Sequence, residues 1–298
     1  MNTSTAVRRA GNLRSIYAML IAVVMFSLMD TAMKLLSAHY PAMQVTALRA
    51  LSSLPMVFGY VWWRGAVPTL LKVRWRMHFL RGGLGITMLS LFAFGLKSLS
   101  LSETYAIFFI APALITALSV FILDENVNAA RWGAIVVGLL GVLVVLRPSG
   151  DGFFTAGGLA VLASAGCYAV SAIAGRVLAR TERTEHMVFW LMILMAIGGT
   201  ALAAPNWVAL RAGDALLIAG LAVSGFLGQL AITEAFSSGE ASSVAPFEYS
   251  ALAWGAGFDW LLWHTLPDQY TMIGAAIIIG SGLYLIRHES THAESEHP

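Results

Sequence analysis

The chain has 298 residues, 58% of them hydrophobic and 11% charged, with a formal net charge of +2. Soluble domains carry about a quarter charged residues to solvate their surfaces. This composition therefore excludes a water-soluble domain of that size, and so small a net charge gives no argument for nucleic acid.

Apolar runs of roughly twenty residues, the length that crosses a bilayer, recur along the chain. Arg8, Arg9 and Arg14 precede the first, at 15–37. It is longer than a signal-peptide core and no small-residue cleavage site follows, so it is read as a retained helix. Further spans are expected at 41–63, 77–96, 101–123 and 131–146, and then at 157–178, 186–204, 215–236, 241–263 and 270–286. Backbone groups in lipid must satisfy one another, so these runs are helices; the alternating ten-residue segments of a barrel are absent. The expected fold class is an all-α polytopic membrane protein with ten transmembrane helices. Arg64, Lys72, Arg74, Arg76, Arg180 and Arg183 join the amino terminus on one side, against Lys97, Arg147 and Arg211 on the other. That bias places both termini in the cytoplasm, residues 1–14 at one end and a polar, disordered tail, 288–298, at the other. The three histidines of the tail read as solvated. The lone cysteine, Cys167, lies in an apolar run, so no disulfide framework exists and it reads as a small buried hydrophobe.

The two halves resemble each other. "RWGAIVVGLLGVLVVLRP" from Arg131 lies over "MIGAAIIIGSGLYLIRHE" from Met272, with Gly133 on Gly274, Ala134 on Ala275 and Gly141 on Gly282. A similar offset lays "MFSLMDTAMKLL" over "CYAVSAIAGRVL", pairing Phe26 with Tyr168 and Lys34 with Arg176. Five spans is an odd number, so a duplicated second copy, 157–287, lies upside down relative to the first, 15–147. Inverted repeats of this kind enclose a substrate site near mid-membrane.

Charges inside spans cost roughly 2.5–3.5 kcal/mol each on insertion scales, and Asp30, Arg49, Glu234, Glu248 and Asp259 are such charges. Lys34 and Arg176 read as side chains that reach up to headgroups. Asp30 lies a turn deeper and is too short to do so; it needs a partner, a proton or water. Arg49 is either half of a fixed ion pair or a grip for a substrate carboxylate, which a guanidinium holds with two parallel hydrogen bonds. Pro112 and Pro246 each remove a backbone donor and leave carbonyls that could meet a substrate ammonium, or simply kink their helices. Gln229 is a candidate pore-lining group, while Glu234, five residues on, faces elsewhere. Phe94, Phe109, Tyr168, Tyr249 and Trp254 are candidate cavity walls; Trp62, Trp63, Trp207 and Trp263 read as interface anchors. Glycines in "RGGLG" and "GLLG" are read as permitting close helix contacts. "RGGLG" follows no strand, so it is not a nucleotide loop.

The segments "TYAIFFIAPALITALSVFILDE", "GAIVVGLLGVLVV" and "SSVAPFEYSALAWGAGFDWLLWHTLP" resemble EamA-type members of the drug/metabolite transporter superfamily. The resemblance implies ten helices in two inverted five-helix units around a central cavity. It implies export of small metabolites, with the overall pattern most similar to bacterial amino-acid exporters, including the aromatic type. The chain departs from the pattern at "WHTLP", where His264 and Thr265 stand in place of a common acidic residue. The expected function is thus a secondary transporter exporting amino acids or related metabolites across the inner membrane by alternating access. The candidate site is Asp30, Arg49, Phe94, Phe109, Pro112, Tyr168, Gln229, Pro246, Glu248 and Tyr249. The expected partners are a small-molecule substrate and membrane lipid, with a monomer as the simplest state and no cofactor, metal or nucleic acid. Export of a nucleobase, vitamin or drug is the alternative; a non-transporting scaffold leaves the buried charges unexplained. An intramembrane enzyme would need a metal set or an activated nucleophile, and the sequence offers neither an HExxH motif nor an evident partner for Cys167. Coupling is either through protonation of Asp30 or absent, as in passive exchange.

Overall fold

A computed structural model describes residues 3–95, 101–146, 155–264 and 268–294. Its regular elements are all helical among those residues. In chain order, α1 (Thr3–Leu36), α2 (Ala42–Trp63) and α3 (Trp75–Gly95) are followed by the short α4 (Leu101–Phe108) and α5 (Ala111–Leu123), then α6 (Ala129–Leu146). The second half repeats the order with α7 (Ala156–Leu178), α8 (Thr184–Ala203), α9 (Ala215–Ser238), the short α10 (Ala241–Val244) and α11 (Ala251–Trp263), and α12 (Gln269–Glu294).

Two expected spans are therefore discontinuous. The fourth breaks between α4 and α5, and Pro112 sits in the first turn of α5, where its missing N–H removes no helical hydrogen bond. The ninth breaks into α10, a 3-10 stretch Ala245–Ser250 that holds Pro246 near its start, and α11. Among the described residues, four helical stretches are long and apolar enough to cross a membrane by themselves: Asn12–Leu36, Ala156–Leu178, Thr184–Asn206 and Ala212–Ser238. Helices α2 and α3 have 22 and 21 residues, enough for about 30 Å at 1.5 Å per residue, but Gln44, Arg49, His78 and Arg81 dilute their hydropathy. The amino-terminal helix begins at Thr3 rather than at 15, and α12 runs to Glu294 through the stretch expected to be disordered from 288. Extending a formed helix adds one hydrogen bond for each residue fixed, so polar ends continue it readily.

Apolar side chains cover much of the outside as well as filling the core. Phe121, Leu216, Trp62 and Trp63 stand 82%, 84%, 79% and 79% exposed, an apolar surface that only lipid covers comfortably. Helix α1 packs on α9, α3 on α7, α2 on α8 and α6 on α12. The glycines act as spacers in these contacts. A Cβ on Gly82 would come within 2.8 Å of Leu194 Cβ, and one on Gly141 within 2.7 Å of Ile278 Cγ1. Gly138 lies under the ring of the fully buried Tyr249, where an added Cβ would clash with Cδ2 and come within 2.9 Å of Cε2. Gly138→Val is expected to destabilise the bundle by about 1–3 kcal/mol, the usual cost of overpacking, seen as a lower unfolding temperature in detergent.

One end of the bundle is tied by a buried polar knot. Asp124 takes the left-handed conformation, φ 55°, that ends α5 and precedes Glu125. The Glu125 carboxylate accepts from the backbone N–H of Ala241 at 2.8 Å and of Ser242 at 3.0 Å, and from the Ser242 hydroxyl at 2.7 Å. Beside it, Arg131 and Glu240 form a 2.6 Å ion pair, and Asn12 donates to Glu240 at 3.2 Å. The five polar side chains come from α1, the α5–α6 turn, α6, the α9–α10 turn and α10, so the knot joins both halves of the chain.

Candidate functional site

A cavity of about 310 Å³ lies between the two halves of the bundle. Its wall comes from α1, α2, α3 and α4 of the first half and α7, α8 and α9 of the second. Four of the sequence candidates, Asp30, Arg49, Tyr168 and Gln229, line it.

Asp30 and Arg49 reach it from the adjoining ends of α1 and α2. Both helices are held close to α9 by glycines: a Cβ on Gly228 would meet Phe26 at 2.8 Å, and one on Gly225 would meet Ser53 at 3.3 Å and Arg49 Cγ at 3.7 Å. The Ser53 hydroxyl donates across that contact to the Ala222 carbonyl at 3.1 Å. Phe26 in turn lies under the guanidinium of Arg49, whose Cζ is 5.4 Å from the ring centroid, a cation–π distance. The Asp30 side chain is exposed to the cavity, and its charge interacts with that of Arg49. Among the described residues the two form no direct ion pair within 4.0 Å.

Tyr168 is set by its own helix. Ser164, one turn before it, donates to the Met88 carbonyl at 2.8 Å and fixes α7 against α3. The Tyr168 ring packs beside Phe108 at 5.8 Å between centroids, and its hydroxyl donates to Glu248 Oε1 at 3.0 Å. Glu248 thus stands behind the wall and orients Tyr168; it is not a lining residue. Gln229 is buried, and its amide donates to the Thr233 hydroxyl at 3.3 Å. Glu234 faces away, as its spacing requires, and pairs with Arg14 at 2.8 Å.

The remaining candidates fall elsewhere. Phe109 packs between Tyr105 and Tyr249, at 6.3 and 6.0 Å between centroids. Tyr249, Pro112 and Pro246 are buried in the helix-break region, and Phe94 is 51% exposed near the end of α3. None of these five lines the cavity. Expecting every aromatic in a central span to face the centre ignored the demand of the two broken helices for bulky packing. The side chain of Asp259 lies outside the described residues. Arg176, read as reaching for headgroups, donates instead to the Ser237 carbonyl.

Sequence reading missed Arg81, the arginine of "RGGLG", attention having gone to the glycines. It lines the cavity at 6% exposure, and its Nε and Nη1 lack a hydrogen-bond partner. The available signal was an arginine inside an expected span. The methionine content fits an apolar-accepting cavity, but the individual residues were not legible: Met29, Met88, Met187, Met192 and Met195 line it. Among the described residues, no group of three or more His, Cys, Asp or Glu is placed to hold a metal ion.

A helical bundle with a lipid-suited exterior, and a cavity shared by its two halves and lined by opposed charges, defines a multi-pass membrane carrier. The chain belongs to the EamA-like transporter family, whose model matches residues 13–147 and again 155–287. It is 28% identical to the S-adenosylmethionine uptake transporter of Rickettsia felis, over 93% of this chain and 94% of that protein. It is 27% identical to the pseudopaline exporter CntI of Pseudomonas aeruginosa, over 90% and 94%. To a riboflavin transporter of Rhizobium johnstonii it is 32% identical, over 72% and 71%. A solved crystal structure superimposes with a TM-score of 0.82 at 19% identity, covering 95% of this chain and 99% of that one, a likeness of fold alone. These relatives are named as transporters of three different solutes, and none of the three names specifies an aromatic amino acid. Motifs shared across the family determine helix breaks and packing, which every substrate class can use.

Proposed function

We propose that the protein is a secondary transporter that carries a small amphoteric metabolite, an amino acid or an amino-acid derivative, across the cytoplasmic membrane by alternating access. One observation carries the reading: Asp30 and Arg49 face the same cavity from adjoining helices without pairing directly. A carboxylate there suits an ammonium, and a guanidinium suits a carboxylate. The methionine-rich wall adapts to varied apolar groups, which fits a family whose named members move chemically different solutes. The volume of about 310 Å³ is at the small end of the roughly 300–1,000 Å³ usual for small-molecule sites, favouring a compact solute.

The two family segments are read as inverted five-helix units, with both termini cytoplasmic. Exchanging the first five spans for the second five maps the α1–α9 contact onto α7–α3, and maps α2–α8 and α6–α12 onto themselves. It also maps the break near Pro112 onto the break near Pro246. Such a relation supports rocking of one unit against the other around a fixed site.

Purified protein in liposomes, tested for counterflow with amino acids, S-adenosylmethionine, riboflavin and nucleobases, is expected to move at least one amphoteric solute above empty vesicles. Movement of riboflavin or a nucleobase with no amphoteric solute carried would overturn the reading. Repeating the panel with an imposed pH gradient separates proton-coupled transport from exchange.

A further inference from the structure

The cavity has a second pole. Helices α2 and α8 run antiparallel: Gly199, late in α8, lies against Ala47, early in α2, while Arg64 just after α2 pairs with Glu185 in the first turn of α8 at 2.6 Å. The α7–α8 connection is therefore at the opposite end of the bundle from the α1–α2 connection. Helix α3 starts at that same far end, where the Arg74 N–H donates to Glu182 at 2.5 Å. Arg49 stands 14 residues from the end of α2 and Arg81 six residues from the start of α3. Gly82 against Leu194 and Gly198 against Ile86 set α3 on α8, and Gly199 against Ala47 sets α2 on α8; on those contacts Arg81 lies about 6 Å beyond Arg49 toward the far end, at 1.5 Å per residue. Gly175 and Met187 join Arg81 at the far end of the wall; Phe26, Met29, Asp30 and Arg49 form the near end.

Arg81 has no bond to occupy it there. Its natural neighbour, Glu182, has one oxygen on the Arg74 N–H and the other 2.7 Å from His78 Nε2. Nε and Nη1 of Arg81 are unpartnered although the residue is more than nine-tenths buried. Its guanidinium lies flat against Gly175, where an added Cβ would be 3.4–3.5 Å from three of its atoms. Leaving buried charged donors unsatisfied is expensive, and a planar five-donor group facing a cavity is suited to an oxyanion.

We infer that Arg81 is the second recognition point of this site and binds a distal carboxylate of the solute, at the pole opposite the Asp30–Arg49 pair. The substrate class is then an amino-acid head joined by an apolar spacer to a second acidic group. The inference rests on the proposed amphoteric head site and adds a length and a charge to it. Met195, packed against Gly85 between the two levels, would line the spacer.

The test uses two probes of equal length that differ only at the far end: L-2-aminosuberate, with a distal carboxylate, and L-2-aminooctanoate, without one. Calorimetric titration of the full chain in detergent is expected to show aminosuberate binding about ten- to a hundred-fold tighter, the usual range for a hydrogen-bonded charge. Arg81→Gln is expected to abolish that preference by weakening aminosuberate alone, leaving aminooctanoate unchanged; Arg81→Lys should retain part of it. Equal wild-type affinities, or a preference that survives in Arg81→Gln, overturn the role of Arg81 while the head site stands. Failure of both probes to bind wild type removes the head site and this inference with it. Should Arg81→Gln not fold, the wild-type comparison and Arg81→Lys decide.

Discussion

Glu125→Ala is expected to destabilise the folded bundle by about 3–5 kcal/mol, the range for breaking one side of a buried, hydrogen-bonded charge cluster. The residue is 8% exposed and satisfies three donors on Ala241 and Ser242. Alanine leaves those donors buried without an acceptor, and it leaves the start of α10 without its anion. Glu125→Gln keeps the shape but turns an NH₂ toward donors, so it should recover only part of the loss. The Arg131–Glu240 pair gives an internal control. Arg131→Leu alone removes the 2.6 Å ion pair and takes its cation from the buried Glu240 carboxylate, and should cost a similar amount. Arg131→Leu with Glu240→Leu removes both charges and should cost less than the sum of the singles, because an apolar pair avoids the desolvation penalty. Unfolding of the detergent-solubilised protein, followed by tryptophan fluorescence, reads the differences. A wild-type unfolding temperature in Glu125→Ala would show that the knot does not hold the two halves together.

That knot also shows where sequence reading stops. Apolar run lengths located the helical segments, because a lipid-embedded backbone has few other choices, but not the two helix breaks or the helical stretches at 3–14 and 288–294. The prolines at 112 and 246 lie at helix breaks, and glycines of "RGGLG" and "GLLG" lie at helix contacts, because those residues act through their own backbone. Asp30 and Arg49 were legible for a similar reason: a charge in an apolar span advertises its need for a neighbour. Glu125 was visible as part of a motif, but its partners at 240–242 are more than a hundred residues away. Nothing local could join them. Glu248 was legible as a buried acid and not as the group behind Tyr168, since a single sequence shows no side-chain direction around a broken helix. The substrate was least legible of all, because the shared segments determine packing and the cavity's chemistry depends on a few scattered side chains such as Arg81.

Both ends of the carrier are pinned by contacts between its halves, which bears on how the cavity opens. At the α1–α2 end, Tyr40 donates to Asp214 at 2.7 Å and Gln44 exchanges two hydrogen bonds with Val208, at 2.6 and 2.8 Å. At the other end, Arg64 meets Glu185 and Thr69 meets His186 at 2.9 Å. Under the proposed alternating access, a state open to either side would require one set to part, offset by solute contacts made only when the other set is closed.

Asp30→Asn and Arg49→Gln are each expected to reduce counterflow of an amphoteric solute by about ten- to a hundred-fold, the loss of one charge-assisted contact. The rival account makes the pair a structural tie between α1 and α2, and single substitutions cannot separate the two, since each strands a charge in the membrane interior. The double substitution can. With both charges gone, the uncompensated group is gone too, so stability should return toward wild type under either account. Transport divides them: a structural tie predicts that the double variant recovers counterflow together with stability, whereas a recognition pair predicts a stable protein that carries little or nothing. Competition sharpens the result. Asp30→Asn should weaken solutes bearing an ammonium more than their deaminated acids, and Arg49→Gln should weaken carboxylates more than the corresponding amides. A double variant that is both stable and active would assign these two side chains to the scaffold and leave the cavity's chemistry to Tyr168, Gln229 and Arg81.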